Sequence, residues 1–274
     1  MKAMSSSIRG LRGRARLCFT AWFKLGRGVA LLALYAAAIA ALWLVFMNPL
    51  VVAHYGSTAP LVAGFNLYFF SLLFMVGYLA GVVSDDLSMD RFTFLTSLLR
   101  NGVGGFIAGK AIVSLAVTAF LASTAQLMTY FSLLDRYGVR AAHPIELMIY
   151  WALSIIDYGL VIVLVDTAAA GRSASLYVNA IIAVLGLSLA SYYLPKYYPW
   201  SEPYLIFLWP IYYGELTSKS AWSAYVRLMG ESGTAVVTAP ISELLMIAAA
   251  YAAILAALSY AVMRARLKRL SEAS

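Results

Sequence analysis

Two aspartates stand inside otherwise apolar sequence, Asp157 and Asp166. Asp157 follows Pro144 by 13 positions. A helix starting at that proline would carry it about 20 Å inward, near the middle of a bilayer. An ionised carboxylate there costs at least about 2.5 kcal/mol, so it must face a cavity, meet a donor or hold a proton. Asn179, Gln126 or a hydroxyl could bond it between helices as packing glue. The other reading gives it a direct part in passage of substrate or protons. Asp166 lies nine residues further on. That is about half a turn of rotation and about 13.5 Å of rise. The pair therefore cannot share a proton as an aspartic-protease dyad does. Asp166 is expected near the inner boundary, within reach of Arg172 or solvent.

Other chemistry is scarce. His54 and His143 both fall in expected outer loops, too few for a histidine metal cluster, and Cys18 is alone. No Gly-x-Ser-x-Gly elbow occurs. Residues 104–111 read GGFIAGKA, close to a phosphate-binding loop. Ala111 stands where that loop needs a hydroxyl for magnesium, and no strand precedes it. Glu146 and Glu243 follow Pro144 and Pro240 closely, which is ordinary first-turn electrostatics. The chain is thus expected to be non-catalytic, with no cofactor or metal. Any ATP hydrolysis belongs to another chain.

The elements that must hold these residues follow from composition. Of 274 residues, 63% are hydrophobic and 12% are charged. An ordinary soluble domain carries about 25% charged residues. A water-soluble globule, a disordered chain and a disulfide scaffold are excluded. An all-α, polytopic membrane protein remains. Six apolar segments are long enough to span, near 28–48, 63–83, 111–134, 145–168, 174–194 and 241–263. They are continuous runs rather than alternating ones, so they read as helices and not barrel strands. Of the Lys and Arg residues, 15 fall on one side of this arrangement and five on the other. Both termini are therefore expected in the cytoplasm of a multi-pass cell-membrane protein. The net charge of +8 is a topology signal and an attraction to anionic membrane lipid, not a sign of nucleic acid.

Residues 1–27 place Leu17, Cys18, Ala21, Trp22 and Leu25 at helical spacing beside Arg16, Lys24 and Arg27, an amphipathic helix for the inner face. A six-helix transmembrane domain is expected over 28–268. An outer segment, 195–240, is crowded with aromatics and broken by Pro195, Pro199, Pro203 and Pro210. A tail, 264–274, carries Arg264, Arg266, Lys268 and Arg269.

The inner loop 84–110 opens with Asp85, Asp86, Asp90 and Arg91. A short helical pattern follows, with Phe92, Leu95, Leu98 and Leu99 on one side, then Arg100, a Gly-rich hinge and Gly109-Lys110. An amphipathic helix between two spans can dock as a handle into a groove on a soluble partner. Asp90-Arg91, Thr93, Leu95, Leu98-Leu99 and Gly109-Lys110, set in this layout, resemble the ABC-2-type permease family, the membrane subunits of ABC transporters. Phe92 replaces a usual Gly, and Arg100-Asn101 replaces a usual Pro. The resemblance implies a homodimer, or a pair with a related chain, bound to two ABC ATPase subunits. ATP-driven closure would push on residues 85–104 and on the N-terminal helix, and the spans would switch between inward and outward openings. It also implies export, and the apolar path favours an amphipathic or apolar cargo. In that family the cargo passes along the dimer seam, where Gly105, Gly109, Ser114, Thr118 and Gly186 would allow close helix approach. The alternative is a structural or assembly subunit of a larger membrane complex. A third possibility, an intramembrane enzyme built on Asp157, lacks a second acid at the same depth.

Overall fold

The structure, a computed structural model, describes residues 26–55, 59–99, 102–136, 144–185 and 241–273. The expected amphipathic helix before residue 26, Gly186 and the aromatic segment 195–240 lie outside the described residues. Among those described, eight helices and no strand occur: α1 (Gly26–Met47), α2 (Pro49–Tyr55), α3 (Ala59–Leu79), α4 (Met89–Leu99), α5 (Val103–Arg136), α6 (Pro144–Ala168), α7 (Arg172–Leu185) and α8 (Ile241–Ala273).

Length and composition make four of them fit to cross a membrane, within Val29–Met47, Val103–Arg136, Pro144–Ala168 and Ser242–Glu272. Asn66–Leu79 and Arg172–Leu185 are shorter apolar helices. The chain is a helical, multi-pass membrane protein. Its outward residues suit contact with lipid: Leu34, Leu44, Ile112, Phe120, Met128, Ile254 and Leu258 are all exposed.

The hub is α6. Half of its spanning window is buried, against 6% for α8. It packs on α3, α5, α7 and α8, most extensively on α8, whose Ala-rich face lets the two backbones approach. Gly159 lets two further helices close on α6. A Cβ there would stand 2.3 Å from Leu115 Cδ1 and 2.7 Å from Met75 Cε, so its absence makes room for α5 and α3. Within hydrocarbon, hydrogen bonds add register. The Tyr35 hydroxyl pairs with Ser71 Oγ at 2.7 Å and donates to the Ala122 carbonyl at 3.3 Å, tying α1 to α3 and α5. Tyr35 also stacks on Phe74 at 4.3 Å between ring centres. Trp151 donates to Gln126 Oε1 and packs against Tyr130 at 5.1 Å.

These contacts set directions. Trp43 bonds Ser132 near the ends of α1 and α5, and Lys110 near the start of α5 meets Asp86 just after α3. One end of the bundle therefore gathers the start of α1, the turn 80–88, α4, the starts of α5 and α7, and the ends of α6 and α8. Arg91, Lys110, Arg172, Arg264, Arg266, Lys268 and Arg269 all belong to this basic end.

The span expected near 63–83 runs from Ala59 to Leu79, and His54, expected in a loop, lies in α2. Two further segments also differ from the expected layout. The Gly-rich stretch before Lys110 is helical and opens α5, which runs 34 residues. At 1.5 Å per residue it is about 50 Å long and outreaches a hydrocarbon core of about 30 Å. Glycine in a helix costs about 1 kcal/mol relative to alanine. Gly104 has a packing reason, since a Cβ would lie 3.1 Å from Leu267 Cδ1. The expected tail beyond 263 likewise continues α8 unbroken, because Met263, Leu267 and Leu270 pack against the cluster under α4.

Candidate functional site

The site is built around the turn 80–88. After α3 ends at Leu79, the chain reverses through Gly81, whose φ of 94° is a conformation only glycine takes without strain. The reversal points successive backbone N–H groups inward, making a small anion-binding concavity. Asp166 fills it. Its carboxylate accepts the N–H of Gly81 at 2.8 Å, of Val83 at 2.7 Å and of Ser84 at 3.2 Å, and the Ser84 hydroxyl at 2.7 Å. Asp166 is fully buried. A buried charge requires such a set of donors. Asp166 does sit two residues before the end of α6, as its expected boundary position requires, but the turn's donors hold it rather than solvent or Arg172. It is the bolt that holds the turn to α6.

Next to the bolt is an ion pair. Lys110 Nζ lies 2.6 Å from Asp86 Oδ2, and Arg91 approaches Oδ1 at 3.7 Å. Asp86 is buried, so its charge is spent on holding α5 to the turn. Asp85 is half-buried beside it. Burial pushes its carboxyl above the ordinary value of 3.8, and the nearby Arg91 works against that shift.

Helix α4 lies on this base. Ser88 precedes it, accepting the Phe92 N–H at its carbonyl, and Asp90 sits in the first turn where negative charge is favoured. Phe92 and Leu95, expected on a partner-facing side, point inward. They join Val83, Leu87, Val103, Ile107, Ala111, Val163 and Met263 in a second core cluster. Outside this cluster Phe94 is 64% exposed and Met89 41% exposed, with Asp90 and Arg91 also exposed on the same helix. The helical spacing located the stripe correctly but left its direction open. Arg100 and the side chains of Leu98 and Leu99 lie outside the described residues.

Arg266 closes the arrangement. Its guanidinium donates to the carbonyls of Thr167 at 2.8 Å and Ala169 at 2.6 Å, which α6 leaves without helical partners at its end. Sequence reasoning counted Arg266 only as topology charge. No spacing rule connects residues so far apart in the chain.

Asp157 is elsewhere. It shares α6 with Asp166 but points about half a turn away from it. It is fully buried, and among the described residues neither carboxyl oxygen has a hydrogen-bond partner. The expected partners are engaged otherwise. Gln126 takes the Trp151 indole, and the Asn179 amide donates to Ser175 Oγ at 3.3 Å, its own oxygen without a partner among the described residues. So the structure does not bring Asp157, Asn179 and Gln126 into one hydrogen-bonded group.

Among the described residues, no group of three or more His, Cys, Asp or Glu is placed to hold a metal ion. No protein-family model matches the chain, and neither does any curated protein.

Proposed function

We propose that this chain is the membrane-embedded permease subunit of an ABC-2-type transporter, energised by separate ATPase subunits and working as a pair with itself or a related chain. One relationship carries the reading: α4, with Phe94 and Met89 outward, is fixed through the 80–88 turn to Asp166 in the central helix. A force applied to the outer face of α4 reaches α6 through the turn's hydrogen bonds, not through a slack loop. That is what a coupling element requires. The partner-facing residues in this reading are Met89, Asp90, Arg91 and Phe94, with Phe92 and Leu95 as the anchors that seat the helix. The excess of basic charge at this end supports a cytoplasmic placement of both termini, and two further spans complete a six-helix domain. Export of an amphipathic or apolar substrate is the transport mode that goes with this reading.

The test is co-purification. The tagged full chain should recover an ATPase from its native membrane, and that ATPase should hydrolyse ATP faster with the chain in proteoliposomes. Recovery of a stable complex with no ATPase in it would sink the proposal and leave an assembly subunit.

A further inference from the structure

At the basic end an open groove of about 840 Å³ runs between α4, the start of α5 and the last turns of α8. Its walls change character along α8. Tyr260 and Ala261 come first; Arg264 follows, then Leu267, level with Gly104 at the start of α5, then Lys268, and Ser271 last. One end of the groove is apolar and continuous with the lipid-exposed surface, where Tyr260 and Leu258 are exposed. The other carries two cations one helical turn apart. Among the described residues Lys268 has only a loose partner, Glu272 at 3.8 Å with both side chains exposed, a kind of pair that holds little. Arg264 makes no ion pair among the described residues.

We propose that this groove is a binding site for one anionic phospholipid, its acyl chains along Tyr260 and Ala261 and its phosphate between Arg264 and Lys268. Charge and shape select this occupant. An apolar-to-cationic gradient across a membrane boundary is complementary to a lipid with an anionic headgroup, and to no uncharged lipid. The chain's own N-terminal residues are a poor alternative, because Arg9, Arg12, Arg14 and Arg16 would bring like charge to the cations. The inference rests on membrane embedding alone and holds whether or not an ATPase partner exists.

Native mass spectrometry of the full chain, released from mixed micelles of equal phosphatidylglycerol and phosphatidylcholine, tests it. One phosphatidylglycerol per chain should be retained, preferred by up to roughly 30-fold if each basic residue adds its usual share. Arg264→Gln with Lys268→Gln should bring the preference close to one. Ala261→Trp, which fills the apolar end and leaves the charge intact, should also displace the lipid. Arg136→Gln, at the far end of the bundle, should change nothing. Equal retention of both lipids by the wild type would overturn the site. So would loss of preference in Arg136→Gln, an unaltered preference in Ala261→Trp, or displacement of the lipid by millimolar inorganic phosphate.

Discussion

Asp157 and Asp166 lie nine residues apart on α6, both shielded from solvent, and among the described residues only Asp166 finds hydrogen-bond partners. One helix thus holds two carboxyl groups in opposite circumstances. Replacement by asparagine, nearly the same in shape, should separate them. In Asp166→Asn an NH2 group faces backbone donors, and the turn loses at least one of its backbone bonds. The expected loss is about 2–4 kcal/mol, read as a lower melting temperature in micelles. Asp157→Asn removes a lone buried carboxylate and breaks no bond. It should melt at or above the wild-type temperature. A lower melting temperature for Asp157→Asn than for Asp166→Asn would contradict both assignments.

The same two variants separate folding from transport. If Asp157 serves passage of substrate or protons, Asp157→Asn should remain folded and lose transport in proteoliposomes. Unchanged transport would make Asp157 a tolerated oddity of the α6 interior.

Glycine substitutions give a second pair of opposite outcomes. Gly81→Ala forces a side chain into a left-handed backbone, and its Cβ would stand 2.8 Å from Arg172 Cγ. A loss of about 1–3 kcal/mol is expected. Gly109 is helical, and a Cβ added there would meet nothing within 4 Å, so Gly109→Ala should gain up to about 1 kcal/mol. Thermal melts followed by circular dichroism check both signs.

Asp85 and Asp86 should respond differently to neutralisation. Asp86→Asn removes the charge that Lys110 and Arg91 face, and should lower the melting temperature at pH 7. For Asp85 the sign is reversed. Burial raises its folded carboxyl above the ordinary value of 3.8, so the folded protein binds the proton more readily than the unfolded chain. Its charged form therefore costs stability at neutral pH, and that cost fades as pH falls through the raised value toward 3.8. Asp85→Asn should be no less stable than wild type at pH 7, with the difference shrinking on acidification. Parallel melts at pH 7 and in mild acid read it directly.

On α4, neighbouring aromatics should divide coupling from folding. Phe94→Asp should leave the melting temperature unchanged and abolish recovery of the ATPase. Phe92→Ala should destabilise by about 3 kcal/mol, since its ring is buried in the cluster under the helix. Equal recovery of the ATPase by wild type and Phe94→Asp would remove this face from the contact.

Much of the architecture was legible. Apolar run length located α1, α5, α6 and α8, and the helical spacing of Phe92 and Leu95 located α4. Its orientation was not, because a stripe of apolar residues has the same spacing whether it seats inward or waits for a partner. The role of Asp166 was hidden for another reason. Its donors are backbone groups of Gly81, Val83 and Ser84, and backbone N–H groups leave no trace in residue identity. Only Gly81 hinted at a sharp reversal. The continuation of α8 past Arg264 was masked by charge, which suits a solvated tail as well as it suits a helix with one apolar edge.

The grip of Arg266 on the last carbonyls of α6 has a mechanical consequence. Two long rods joined at the foot and flush along their length behave as a single strut. Any rearrangement that opens this protein must then swing the strut as a unit against α3 and α5, and spin labels on α6 and α8 should keep one separation while labels across the strut and α5 report two.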